Sequence, residues 1–194
     1  MNDIQPYFKW RAKYIATDDE RSPFHNVVND ETQYTYKIYN YYIHPEWNYF
    51  GSDTLYLKIL FVDYDQKYAI IEFIGEWNDC LHNDIMHLKR EVIEAMMKED
   101  IHKFILICDN VLNFHGSDDS YYEEWSEEVS EEGGWICVLN ARKHIRDEMQ
   151  NTGLQHYLYF DDATDDIIWQ SKTAAQLLIL IEDLMNRQIK QLYY

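Results

Sequence analysis

Basic residues are scarce in this chain. Its 194 residues hold 17 Lys and Arg against 35 Asp and Glu, a formal charge of −18 at neutral pH. A protein gains affinity for a polyanion by exchanging counterions for clustered cations. With cations few and scattered, the sequence excludes nucleic acid as an expected partner and disfavours an anionic membrane surface. Long apolar runs are missing too: none approaches the roughly 18–20 residues that a bilayer-spanning helix needs. The opening Met1-Asn-Asp-Ile-Gln-Pro6 has no basic stretch followed by an apolar one, so no secretory leader is read there. The expectation is a cytoplasmic protein with no membrane span.

Cysteine is limited to Cys80, Cys108 and Cys137, an odd number without a CxxC pair, which argues against a disulfide framework. Cys108 and Cys137 fall inside apolar runs and read as buried, inert thiols. Catalytic signatures are absent as well, with no GxSxG, P-loop, GxGxxG or HExxH. The eight histidines are dispersed and show no His-x-x-x-His spacing. The acidic loop Asp161-Asp-Ala-Thr-Asp-Asp166 lacks the spacing and glycine of an EF-hand. Neither a metal nor a cofactor is expected.

What is present is apolar and aromatic, at 46% and 16% of residues, enough for an ordered core despite the charge. Residues 1–53 form an aromatic-rich N-terminal elaboration in which Tyr34-Thr-Tyr-Lys-Ile38 alternates like a strand. These aromatics are expected to pack on the main sheet; the alternative is a pocket for a small apolar ligand or lipid.

Residues 54–194 read as an α/β domain. Leu55 to Val62 and Lys67 to Gly75 form a hairpin around Asp63-Tyr-Asp-Gln-Lys67. Pairing Val62 with Tyr68 sets Leu57 against Phe73, Ile59 against Ile71, Phe61 against Ala69, and Lys58 against Glu72 as a cross-strand ion pair. A helix from Asn78 or Asp79 to about Lys98 carries the stripe Leu81, Ile85, Leu88, Val92 and Met96, with Lys89, Arg90 and Glu94 turned away. A strand Lys103 to Asp109 precedes an acidic helix from about Ser117 to Val129, and a strand Trp135 to Leu139 precedes a helix near Ala141 to Gln150. A strand Tyr157 to Phe160 and a helix opened by the capping box Thr173-Ala-Ala-Gln176 close the order β-β-α-β-α-β-α-β-α.

In this order the chain resembles the STAS and SpoIIAA-like superfamily over about residues 55–190. The resemblance is carried by the hairpin Tyr56 to Gly75, the long helix after Glu76-Trp-Asn-Asp79, the strand Lys103 to Asp109, the loop into the helix at Ser117, the strand Trp135 to Leu139 and the closing helix. It implies a mixed sheet with helices mainly on one face, and a non-enzymatic regulatory or protein-interaction domain. In antagonists of that kind a phosphorylatable Ser opens the helix after the central strand. Here the turn reads Gly116-Ser-Asp-Asp-Ser120, making Ser117 the corresponding phosphorylation candidate, although the Asp-Ser-Ser-Gly order is lost.

The residues themselves place a candidate binding surface at His115, Ser117, Asp118, Asp119, Ser120, Tyr121 and Trp125. Ser117 and Ser120 suit a helix cap, Ser120 making a capping box with Glu123. A phosphate there would gain from the helix terminus but face Asp118, Asp119, Glu123 and Glu124. The acids of this helix suggest docking of a basic protein partner. No catalytic residue is assigned. A hydrolase is the second alternative and would require His115, Ser117 or Glu76 to converge in a cleft.

Overall fold

The computed structural model describes residues 4–192. Two short strands, β1 (Lys37–Ile38) and β2 (Tyr41–Tyr42), pair as a hairpin. They precede β3 (Leu55–Asp63), β4 (Tyr68–Asn78), β5 (Lys103–His115) and β6 (Trp135–Leu139), which form a sheet in that order. β3 is antiparallel to β4, and β4, β5 and β6 are parallel. Between β4 and β5 the chain runs through α1 (Asp79–His82), α2 (Asp84–His87), a π-helical turn (Leu88–Ile93) and α3 (Glu94–Lys98). Beyond β5 come α4 (Ser120–Glu131), α5 (Lys143–Asn151) and α6 (Ala174–Leu192). This is a mixed α/β fold.

Both faces of the sheet are covered, and strand alternation decides which residue meets which cover. Ile71, Phe73, Phe104, Leu106, Ile136 and Val138 pack with Ile85, Leu88, Val92, Trp125 and Ile145 from the helices between α2 and α5. Ile70, Ile105, Ile107, Cys137 and Leu139 pack on the other face with Trp10, Trp169 and the α6 residues Leu177 and Ile181. Each large apolar side chain so buried contributes roughly 1.5–3 kcal/mol relative to exposure. A smaller cluster of Ile38, Ile43, Trp47, Tyr56 and Ile74 joins the N-terminal region to the sheet.

The hairpin register agrees with the sequence as far as Ile59, which pairs with Ile71, while Leu57 pairs with Phe73. An irregularity between Ile59 and Phe61 then shifts the pairing by one residue. Phe61 meets Ile70, Val62 meets Ala69 and Asp63 meets Tyr68, in place of Phe61 with Ala69 and Val62 with Tyr68. The turn tolerates the shift because the Asp63 carboxylate accepts bonds from the Asp65 and Gln66 N–H groups.

Lys58 does lie opposite Glu72, but no ion pair forms. The Lys58 ammonium donates to the Glu46 carbonyl at 3.1 Å. Glu72 accepts from the Tyr7 N–H at 2.9 Å and from Asn110 at 3.3 Å. The explanation is competition: the N-terminal region brings closer partners to both groups than they can offer one another across the sheet.

The long helix differs in two places. Asn83 adopts left-handed backbone (φ 52°) and breaks α1 from α2, which turns Leu81 out to 79% exposure instead of leaving it on the core stripe. Lys89 is fully buried instead of pointing away, because it stands four residues from both Ile85 and Ile93 and so shares their face. The expected strand Tyr157 to Phe160 shrinks to one bridge between Tyr159 and Cys137. There the Asp161 carboxylate accepts from the Ala163 and Thr164 N–H groups and turns the chain off the sheet. The capping box at Thr173 and Gln176 is present in both directions.

Burial pushes Glu72 up to about 7 from 4.5, the Tyr7 N–H bond partly opposing it and neighbouring Asp109 adding to it. The folded protein therefore holds this proton more tightly than the unfolded chain. The stability it contributes is complete below about pH 4.5 and is lost as pH rises through 7. Glu72→Gln keeps an acceptor for Tyr7 without the buried charge. It is expected to raise unfolding free energy at pH 8 by about 2 kcal/mol and to flatten its pH dependence between 5 and 7, as read by urea unfolding.

Candidate functional site

β4 and β5 end side by side, with Asn78 paired to His115, so the loops that follow them form one surface. Asn78 starts α1 by accepting the Leu81 N–H at 2.9 Å, the role expected of it or of Asp79. Asp79 instead turns inward. Its carboxylate accepts from the Trp77 indole at 3.1 Å, the Ile85 N–H at 2.9 Å and the Tyr122 hydroxyl at 2.7 Å, tying β4 to α2 and α4. Burial pushes it up to about 6, against the opposing Tyr122 hydrogen bond. Beside it, buried Asp84 accepts the Asn78 N–H at 2.8 Å. Burial raises Asp84 as well, with Ser52 the largest opposing influence. The exposed Cys80 thiol donates to the Gly116 carbonyl and joins the two loops directly.

The start of α4 is built differently from the sequence reading. Asp119 is the capping residue, its carbonyl accepting the Tyr122 and Glu123 N–H groups at 2.9 Å each. The Asp118 carboxylate accepts the Ser120 N–H at 3.0 Å, and the Ser120 hydroxyl and N–H hold Asp118 below the usual carboxylate range. Ser120 is thus the first residue of the helix and forms no capping box with Glu123. No side chain caps this helix start; the Asp118 carboxylate instead closes the turn that leads into it.

The predicted surface residues divide. His115, Ser117, Asp118 and Ser120 are exposed together at the junction, Asp119 and Tyr121 are half-buried, and Trp125 is buried. Trp125 packs edge-on against Phe104 at 5.2 Å between ring centres and belongs to the core. His115 lies beside Asn113 at 3.0 Å, and Glu76 accepts the Tyr39 hydroxyl. Among the described residues, no group of three His, Cys, Asp or Glu side chains is placed to hold a metal ion.

The acids of α4 also divide. Lys89 makes ion pairs with Glu128 at 2.7 Å, Glu124 at 3.2 Å and Glu94 at 3.6 Å. Arg90 pairs with Glu124 at 2.8 Å and with Glu94, and its guanidinium lies 5.4 Å from the centre of the Tyr121 ring. Among the described residues, Asp118, Glu123, Glu127 and Glu131 take part in no such pair, and all four are exposed.

The N-terminal aromatics also separate by position. Trp10, Phe24, Trp47 and Phe50 are buried, whereas Tyr39 and Tyr41 are 61% and 70% exposed. A cavity of about 390 Å³ beneath residues 7–31 carries Arg11, Glu31, Glu46 and Lys58 in its walls beside Ile15, Val27 and Ile59, a mixed lining that differs from the apolar pocket of the alternative reading. Apolar lining appears in a groove of about 430 Å³ bordered by Ile4, Ile38, Ile43, Ile74 and Leu112, with Tyr39 and Tyr41 at its edge. Asp79, Tyr122 and Lys89 carried no signal as a site in the sequence. Their partners are 43 and 35 residues away along the chain.

No protein-family model matches the chain, and neither does any curated protein. Among solved structures it is similar to the anti-sigma factor antagonist SpoIIAA in its unphosphorylated form, at 13% identity and a TM-score of 0.44 over 59% of this chain and 91% of that one. It is likewise similar to the phosphorylated form of the Bacillus cell fate determinant SpoIIAA, at 13% identity and a TM-score of 0.40 over 59% and 95%.

Tyr122→Phe removes one donor from Asp79 and leaves the ring in place. The expected loss is roughly 1–2 kcal/mol at pH 8, where the carboxylate is charged, and less at pH 5, where it is protonated. Urea unfolding at the two pH values measures the difference.

Proposed function

We propose that the chain is a non-enzymatic regulatory domain of STAS-like type that works by contact with a basic protein partner on the face running from Ser117 to Glu131. The observation that carries this reading is the division of charge around α4. The two nearby cations, Lys89 and Arg90, are taken up by Glu94, Glu124 and Glu128. Glu123, Glu127 and Glu131 then stand one turn apart as like charges facing water, a spacing that costs a few tenths of a kcal/mol per pair in an isolated helix. A basic partner removes that repulsion on binding and is drawn in by the same field.

Two further points support contact over chemistry. Among the described residues no hydrogen bond joins His115, Ser117 and Glu76: His115 lies against Asn113 and Glu76 accepts the Tyr39 hydroxyl, so the pairing a hydrolase reading needs has no support. A phosphate on Ser117 would sit among Asp118, Asp119 and Glu123, so this reading assigns the acidity to the carboxylates themselves.

The test compares the wild-type chain with Glu123→Lys/Glu127→Lys in capturing proteins from the cells that make it. A partner should bind the wild type at low salt, leave at high salt, and bind the variant about tenfold more weakly or less. Equal capture by both chains, or capture indifferent to salt, would overturn the proposal. Both side chains are exposed, so unfolding curves of the two proteins should coincide.

A further inference from the structure

Lys58 is a lysine in unusual surroundings. It projects from the middle of β3 into the cavity of about 390 Å³ under the N-terminal region. Its ammonium has three donors, and one is used, on the Glu46 carbonyl. The carboxylate of Glu46 is engaged by Arg11, and Glu72, opposite in the sheet, is bonded to Tyr7 and Asn110. Among the described residues no carboxylate lies within ion-pair distance of the Lys58 ammonium. The other charged or titratable groups of the cavity wall are Asp18, Glu31, Tyr7 and Tyr14. The Tyr7 and Tyr14 hydroxyls donate to the Gln170 carbonyl and to Asp19.

From this arrangement we infer that the cavity is a covalent binding site for a small carbonyl compound, an aldehyde or 2-oxo acid of a few carbons, with Lys58 as the amine that captures it. Desolvation and a neighbouring cation are the two conditions that turn a lysine into a nucleophile. Both act here: burial first and Arg11 second lower Lys58 to about 8, Glu31 opposing them. A substantial share of the side chain is therefore neutral near pH 8. The neutral Nζ lone pair forms a bond to the carbonyl carbon while the carbonyl π pair moves to oxygen. Both Nζ protons then pass to that oxygen, which leaves as water, and an imine remains. No electron donor or acceptor is consumed, and hydrolysis reverses the step. The site is separate from α4, so its test stands apart from that of the docking face.

The experiment treats the intact chain at pH 8 with glyoxylate and cyanoborohydride, which reduces any imine to a stable amine, and reads each lysine by peptide mass spectrometry. Lys58 should be modified at least about tenfold faster than the exposed Lys13, Lys98 and Lys143, and unfolding in urea should erase the preference. Arg11→Gln should slow Lys58 at pH 7 while leaving the exposed lysines unchanged. Modification of Lys58 no faster than that of the exposed lysines, or a preference that survives urea, would overturn the inference.

Discussion

Glu72 is a carboxylate in the middle of a strand that has almost no contact with water, and much of the second face is arranged around it. β4 is buried on both sides, with strands at both edges. A charge placed there must draw polar partners from elsewhere or give up its ionisation. It does some of each. The Tyr7 N–H reaches it from the N-terminal region, and Tyr7 stacks edge-on with Trp10 and Trp169 at 5.2 and 4.8 Å. Next to it, Asp109 accepts the Trp169 indole at 2.6 Å and the Asn140 amide at 3.0 Å. One polar row thus holds the first and last quarters of the chain against the same face. Asp79 repeats the arrangement at the end of β4 for the opposite face, joining α2 and α4.

The parts of this fold that were readable in the sequence are those governed by local periodicity. Core alternation in β3 and β4, the stripe from Ile85 to Met96 and the box at Thr173 and Gln176 each rest on spacings of two to four residues, and all are present. What was unreadable depended on chain segments far apart in sequence. Nothing near Lys58 or Glu72 announced that residues 7 and 46 would supply their partners, so the ion pair inferred from register gave way. The bulge after Ile59 has no local signature either, and beyond it each pairing slips by one.

The candidate surface shows the same division. The strand-to-helix junction at Ser117 to Ser120 was recognisable from its turn-forming and capping residues, but the capping role passed from serine to aspartate. Trp125, read from the sequence as part of the surface, lies on the inner side of α4, and that burial removes it from any surface. Lys89 was unreadable as a buried cation because its compensation comes from α4. Two glutamates there neutralise it, and the acidity of the helix is accordingly less uniform than its composition suggests.

The tryptophans are distributed so that each layer contains its own. Trp77 and Trp125 lie in the core under the helices, Trp10 and Trp169 on the opposite face, and Trp47 in the small cluster behind β1 and β2. Five of the six are nearly or fully shielded from water, Trp135 being half-buried against the second face, and the Trp169 indole is bonded to a carboxylate. Intrinsic fluorescence is therefore an optical reporter with spatial resolution. Chains retaining a single indole would show whether the two faces melt as one cooperative unit, or whether the N-terminal covering lifts off while the sheet and its helices stay intact.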